Sequence, residues 1–272
     1  MARPGLAAHS EPELAPGLHG RASALPGLTY RILRLLWRLA TIALGARLEL
    51  EGREHLPVRP NGQPAGRWIA ACLPHRTWID PFVPWILLPA RPRLAFFGDA
   101  RTMARSPLRR FVLARLGGVI PIPGGHESRT VELHLEAARR VLDAGMVFCL
   151  MPETGPPSEV GRIRRLGSGI GYIALRNRVP IVPLVLGGNH ELYLGRRVIL
   201  RVLPPLDPLD LAGLDPGAPL PAPGSPEERN AVHRLLDGLA AGVAADVAEV
   251  HRRSEPAPGS PKRGRFLTTL FR

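Results

Sequence analysis

The chain has 272 residues, with 36 lysine and arginine residues against 23 acidic residues and a formal net charge of +13 at pH 7. That length allows one large domain or two small ones, each with a real core. The two cysteines, Cys72 and Cys149, lie in apolar runs, which excludes a disulfide scaffold and predicts two buried, reduced thiols. The positive charge favours an anionic partner, which could be nucleic acid, a membrane surface or a phosphorylated substrate.

The first 27 residues contain proline and glycine throughout and no continuous apolar core. We therefore predict that residues 1–27 form a flexible leader rather than a secretory signal, and that the protein is cytoplasmic.

Residues 28–46 are apolar except for Arg31, Arg34 and Arg38, which share one face of a helix. The opposite face carries Leu28, Ile32, Leu35, Leu36, Leu39 and Ile42. A membrane-interfacial helix, an ordinary amphipathic surface helix and a membrane span are the alternatives. We predict the interfacial helix, with its arginines reaching lipid phosphates, because a span needs roughly 20 residues with few charges.

Strand-like and helix-like segments alternate after this helix. The predicted strands are Arg47–Glu51, Trp68–Leu73, Leu94–Phe97, Val119–Ile122, Val147–Met151, Ile181–Leu186 and Val198–Leu203. The predicted helices are Pro81–Leu88, Thr102–Leu116, Ser128–Ala144, Ser168–Asn177 and Pro226–His251. This order predicts an α/β domain over residues 47–251, with a mixed, largely covered sheet and flanking helices. Residues 204–225, rich in proline and glycine, are predicted to be a long surface connection.

The last segment, residues 252–272, is predicted to be a basic flexible tail. Its end places basic residues beside apolar ones, which suits either an interfacial anchor or a disordered basic tail. These residues are Lys262, Arg263, Arg265, Phe266, Leu267, Leu270 and Phe271.

The stretch LPHRTWID places His75 and Asp80 directly after an apolar strand. Asp80 could cap the helix that begins near Pro81, with His75 as an exposed loop residue. Alternatively, the chain turns between the two residues and Asp80 orients the imidazole, so that His75 can take a proton from a hydroxyl. No serine or cysteine is an obvious third member, so that hydroxyl would belong to a substrate.

A second polar stretch follows the strand that ends at Met151. It contains Glu153 and a loop with Arg162, Arg164 and Arg165, just before a glycine-rich helix start. Arginines at a helix N-terminus are typical of a phosphate site, and a solvated basic loop is the alternative. Further along, Asn189-His190-Glu191 is interpreted as a loop with ordinary hydrogen bonds, like His126 beside Glu127.

Four blocks in the same order resemble the 1-acylglycerol-3-phosphate acyltransferase family. The family's N-H-x-S-x-x-D block reads here as residues 74–80, with proline for asparagine and Thr77 for serine. The second block corresponds to residues 117–123 and the third, usually F-P-E-G-T-R, to Met151–Pro156. The fourth block, V-P-I-V-P, matches Val179–Pro183. The family arginines of the second and third blocks are missing.

The resemblance implies transfer of a fatty acyl group from acyl-CoA or acyl carrier protein to a hydroxyl of a lysophospholipid-like acceptor. His75 would be the general base and Asp80 its orienting carboxylate, with Arg76 and Thr77 near substrate. Glu153 would organise the acceptor site, and Arg162, Arg164 or Arg165 would bind phosphate. No metal or cofactor beyond the acyl donor is expected.

The implied location is the cytoplasmic face of the cell membrane, as a peripheral or monotopic protein on an anionic surface. Because the second and third blocks lack the family arginines, the alternative is a non-catalytic lipid-binding protein on an acyltransferase scaffold. Nucleic acid is not an expected partner, because no recognition motif or aromatic platform accompanies the charge.

Overall fold

A computed structural model of the chain describes residues 27–43, 45–59, 65–77, 80–99, 118–122, 128–154, 159–191 and 193–264. The predicted helix over residues 102–116, the leader up to residue 26, and His126 with Glu127 lie outside the described residues. The strands are β1 Arg47–Glu51, β2 Ile69–Leu73, β3 Leu94–Asp99, β4 Val119–Ile122, β5 Val147–Leu150, β6 Ile181–Gly187 and β7 Arg197–Val202. The helices are α1 Leu28–Ala43, α2 Phe82–Leu87, α3 Ser128–Asp143, α4 Gly169–Asn177, α5 Pro208–Ala212 and α6 Pro226–Ser254.

The strands form a seven-stranded sheet in the order β1-β7-β6-β2-β5-β3-β4. All neighbours pair in parallel except β6 and β7, which are antiparallel. The connection between those two strands is short, whereas a parallel pair needs a crossover of a dozen or more residues. The mixed α/β sheet is therefore confirmed, and β2 lies near its centre.

Both faces of the sheet are covered, as the continuous apolar strands predict. One face packs Ile69, Leu73 and Phe148 against α3, α4 and α6. The other face packs Cys72 and Cys149 among the side chains beneath α1 and α2. Both cysteines are free thiols in the interior, which confirms the prediction made for them.

The predicted surface connection over residues 204–225 contains the helix α5, so that prediction is partly wrong. The Asp207 side chain caps α5 by accepting a hydrogen bond from the Leu209 amide at 2.7 Å. Leu209 and Ala212 are buried under α6. Because proline and glycine lie on either side of α5, the composition of the segment does not reveal this short helix.

Part of the segment predicted to be a flexible tail contacts the domain. The helix α6 continues to Ser254. Beyond it, Lys262 forms an ion pair with Glu191 at 2.6 Å, and the carbonyl of Arg263 accepts a hydrogen bond from the Leu194 amide at 2.9 Å. Lys262 and Arg263 therefore contact the domain, and residues 265–272 lie outside the described part.

The helix α1 lies against α2 through aromatic side chains. Tyr30 meets Trp85 edge to face with ring centroids 5.6 Å apart, and Trp37 stacks on Phe82 at 4.8 Å. Between them, Arg34 donates hydrogen bonds to backbone carbonyls at the end of α2, those of Ile86 and Leu88.

The prediction that all three arginines of α1 reach lipid phosphates is wrong for Arg34, which faces the protein. Arg31 and Arg38 are exposed, and so is the apolar face predicted from the sequence. That face consists of Leu28, Ile32, Leu35, Leu36, Leu39 and Ile42. Within the described ranges, no helix combines the length and apolarity that crossing a membrane requires.

The contacts of Arg34 predict its effect on stability. Replacing Arg34 with alanine removes hydrogen bonds from a charged donor to half-buried carbonyls, and we expect a loss of about 2 kcal/mol in the free energy of unfolding. Arg38→Ala, on the exposed side, should change it by less than about 0.5 kcal/mol. Urea titration followed by tryptophan fluorescence measures both. Equal losses in the two variants would contradict the docking described above.

Candidate active site

The His75–Asp80 pair lies at the carboxyl end of β2, where the chain turns toward α2. The Nδ1 atom of His75 is 3.0 Å from Oδ2 of Asp80. The Asp80 side chain is fully buried, whereas the His75 side chain is 34% exposed. A carboxylate can only accept a hydrogen bond, so Nδ1 carries the ring proton and Nε2 is the nitrogen that can take one.

Asp80 also organises the loop between it and His75. Its Oδ2 accepts hydrogen bonds from the amides of Arg76 and Thr77, at 2.5 and 2.8 Å. Its Oδ1 accepts one from the Thr77 hydroxyl at 2.6 Å. The alternative in which Asp80 caps the next helix is wrong, because α2 has no side-chain cap and the Asp80 carboxylate bonds backward in the chain. Thr77 is buried and holds Asp80, so it does not occupy the position expected of a substrate ligand.

Glu153, which follows β5, and Arg164, which lies in the segment before α4, both contact the same loop. The Glu153 carboxylate accepts a hydrogen bond from the His75 amide at 2.9 Å. It also forms an ion pair with Arg164 at 3.1 Å, in which the side chains are 0% and 15% exposed. The Arg164 guanidinium in turn donates to the His75 carbonyl. Both residues therefore contact the backbone of the loop. The sequence predicts different partners for them, a phosphate for Arg164 and the acceptor for Glu153.

The other predicted arginines lie beside these contacts, on the solvent side. Arg76 donates hydrogen bonds to the carbonyls of Glu159 and Arg162 at 3.0 and 2.7 Å. Burial lowers the pKa of the Arg76 guanidinium, with Arg164 acting in the same direction. The Arg162 side chain is 74% exposed and pairs with Glu159 at 3.2 Å, while Arg165 is exposed. We call these three arginines the basic rim: Arg76 follows His75 in the chain, and Arg162 and Arg165 lie on the segment that Arg76 contacts.

Asn189 belongs to the site although its sequence context indicated only an ordinary loop. It is buried, and its Nδ2 donates to the Pro74 carbonyl at 3.1 Å. No sequence signal could have assigned this contact, because the two residues are brought together by the pairing of β2 with β6.

One group of described residues has the composition of a metal site. Ligand atoms of His190, His251 and Glu255 lie within 4.8 Å of one another. However, Arg196 donates to the same Glu255 carboxylate at 2.9 Å, and burial with that guanidinium lowers the pKa of His190 to about 4. Because the guanidinium already provides the positive charge, we interpret this group as an ion-paired cluster.

The cysteines offer no nucleophile to this site. Burial raises the pKa of Cys72 and of Cys149, so both remain thiols near neutral pH. The site therefore combines the His75 imidazole, oriented by Asp80, with the basic rim. Such a combination is suited to activating the hydroxyl of an anionic substrate.

The chain is similar to known proteins in sequence and in fold. The family model named Acyltransferase matches residues 47–187. The 1-acyl-sn-glycerol-3-phosphate acyltransferase of Cocos nucifera is 37% identical over 83 residues, which are 30% of this chain and only 26% of that relative. The crystal structure of the 1-acyl-sn-glycerophosphate acyltransferase of Thermotoga maritima is 19% identical, with a TM-score of 0.50 over 79% of each chain. That similarity shows a shared fold. Because the family model covers more than half of the sequence, the chain belongs to the acyltransferase family.

Proposed function

We propose that the protein transfers a fatty acyl group from a thioester, acyl-CoA or acyl carrier protein, to a hydroxyl of a lysophospholipid or glycerol-phosphate-type acceptor. The observation that carries this proposal is the His75–Asp80 pair, joined at 3.0 Å and open to solvent on the histidine side. Membership of the acyltransferase family and the names of its relatives support the reaction class.

In the proposed mechanism, Nε2 of His75 takes the proton of the acceptor hydroxyl as its oxygen attacks the thioester carbonyl carbon. Asp80 stabilises the imidazolium that forms. The tetrahedral intermediate then collapses, the carbon–sulfur bond breaks, and the imidazolium returns its proton to the leaving thiolate. General-base catalysis of this kind contributes roughly 10²–10⁴-fold.

The basic rim supports an anionic acceptor. Family arginines of the second and third blocks are missing from this sequence, and Arg164 is engaged with Glu153 and the His75 carbonyl. We therefore assign the acceptor phosphate to the exposed Arg162 and Arg165, with Arg76, whose guanidinium bonds to two backbone carbonyls, adding positive charge beside them. The positive charges of these arginines would strengthen binding of the negatively charged acceptor. They would take no part in proton transfer.

We also propose peripheral attachment to an anionic membrane, at the cytoplasmic face, and the exposed apolar face of α1 supports the attachment. An exposed row of leucine and isoleucine side chains on one helix face is unusual in water, and Arg31 and Arg38 flank it. The opposite face of α1 is fixed to α2, whose first turn follows Asp80. Attachment through α1 would place the site close to acceptors that already lie in the bilayer.

The mechanism predicts that His75→Ala lowers kcat for acyl transfer by roughly 10²–10⁴-fold, because the general base is lost. Asp80→Asn, which keeps the shape of the side chain, should also lower kcat. Release of the free thiol from acyl-CoA in the presence of lysophosphatidic acid measures both. The exposed His233 on α6 provides the control, and His233→Ala should be fully active. Full activity in His75→Ala would exclude the mechanism, and lipid binding without turnover in the wild type would favour the non-catalytic alternative.

The basic rim predicts a different kinetic effect. Arg162→Ala and Arg165→Ala should each raise the KM for the acceptor roughly tenfold with little change in kcat, because each removes a charged hydrogen-bond donor to the phosphate. Arg252→Ala, at an exposed position of α6, is the control. Initial rates against acceptor concentration give both constants. An unchanged KM in both rim variants would remove phosphate binding from Arg162 and Arg165.

Membrane attachment predicts that the double variant Leu36→Glu, Leu39→Glu has an affinity for vesicles about tenfold lower than that of the wild type, or lower still. The reason is that two side chains that would enter the bilayer become charged. Leu194 is also exposed but lies outside α1, so the single variant Leu194→Glu, compared with Leu36→Glu and Leu39→Glu made singly, is the control. Sedimentation with vesicles that contain an anionic phospholipid measures binding. Equal binding of the double variant and the control would refute attachment through α1.

A further inference from the structure

We propose that Asn189 is a positioning residue for acyl transfer, which fixes the backbone that carries His75; this inference rests on the proposed function. Asn189 lies outside the four sequence blocks, and its side-chain amide donates to a backbone carbonyl rather than to the His75 ring. Its effect would pass through one peptide group, the one that joins Pro74 to His75.

The sheet places Asn189 beside that peptide. The strand β2 lies between β5 and β6 and is parallel to both. Ala71 of β2 pairs with Leu150 of β5, and Leu73 pairs with Val185 of β6. The carboxyl ends of the three strands therefore meet at one edge of the sheet, where β5 continues to Glu153 and β6 continues to Asn189.

The two neighbours hold opposite ends of the same peptide group. Nδ2 of Asn189 donates to the Pro74 carbonyl at 3.1 Å, and Glu153 accepts from the His75 amide at 2.9 Å. A peptide group is planar, so fixing both of its polar ends fixes the orientation of the whole plane. That plane sets the direction in which the His75 side chain leaves the backbone. The Asp80 bond then fixes the rotation of the ring.

The turn that carries Asn189 is itself held in place. Gly188 has a φ of +83°, and a Cβ atom there would lie 2.1 Å from the Arg197 carbonyl oxygen, so the turn requires glycine. The Gly188 carbonyl accepts a hydrogen bond at 2.9 Å from Arg196, whose side chain is 1% exposed. Arg196 also pairs with Glu255 at 2.9 Å, after the end of α6. The ion-paired cluster thus supports Asn189 at its buried position.

This geometry predicts a loss of kcat rather than of substrate binding. Without the Asn189 amide, the Pro74 carbonyl loses its partner and the peptide can rotate, which moves Nε2 away from the acceptor hydroxyl. Misplacement of a reacting group by about 1 Å can cost 10²-fold in rate. We expect Asn189→Ala to lower kcat roughly 10–100-fold while the KM for acceptor and donor stays within about twofold.

Two further variants make the test specific. Asn189→Asp keeps the shape of the side chain but replaces the donor with a carboxylate, so it should be at least as impaired as Asn189→Ala. Asn177→Ala is the matched control, because Nδ2 of Asn177 also donates to a backbone carbonyl, that of Ile173 at 2.8 Å, away from the site. It should keep the wild-type kcat. Wild-type kcat in Asn189→Asp and Asn189→Ala would overturn the proposal.

Hydrogen–deuterium exchange separates this inference from the proposed function, because it needs no turnover. In Asn189→Ala, the peptide that contains the His75 amide should exchange roughly tenfold faster, while the strands away from the site exchange as in the wild type. If the wild type transfers no acyl group but this local change occurs, the proposed function fails and the positioning contact stands. Unchanged exchange at His75, or faster exchange throughout the protein, would overturn the positioning role.

Discussion

The site depends on one buried carboxylate, that of Asp80. A carboxylate in an apolar interior is costly unless hydrogen bonds satisfy it. Here the loop that precedes it supplies them, from the amides of Arg76 and Thr77, the Thr77 hydroxyl and the His75 ring. Because these donors satisfy Asp80 only in one loop conformation, the requirement to satisfy the charge also fixes the position of His75. The same interaction thus stabilises the loop and orients the His75 ring.

The sheet provides the second constraint. In a parallel sheet the carboxyl ends of neighbouring strands come together, and α/β proteins place their sites at that edge. Here β2 supplies His75, while β5 and β6 supply the buried side chains of Glu153 and Asn189 on either side. Polar side chains from three strands can therefore hold one short loop without any of them being close in sequence. Arg162 and Arg165 remain exposed on the segment between Glu153 and α4.

The helix α1 connects this edge to the surface that the membrane proposal requires. Its inner face consists of Tyr30, Arg34 and Trp37, which hold α2, and its outer face is the exposed apolar row. The pattern of apolar residues predicted the outer face correctly, since a repeat of three to four residues marks one side of a helix. It did not predict that Arg34 points inward, because the carbonyls that bind this guanidinium belong to a helix about fifty residues away.

The sequence by itself determined the local elements and brought out the His75–Asp80 pair. Continuous apolar runs predicted the covered strands, and the stretch after β2 placed both residues where the chain turns, since these patterns act over a few neighbouring residues. The tertiary structure alone decided how the remaining residues are used. Strand pairing set Asn189 against Pro74 and turned Arg164 from a predicted phosphate ligand into the partner of Glu153. These contacts join segments far apart in the chain, and only the order of strands in the sheet determines which of them meet.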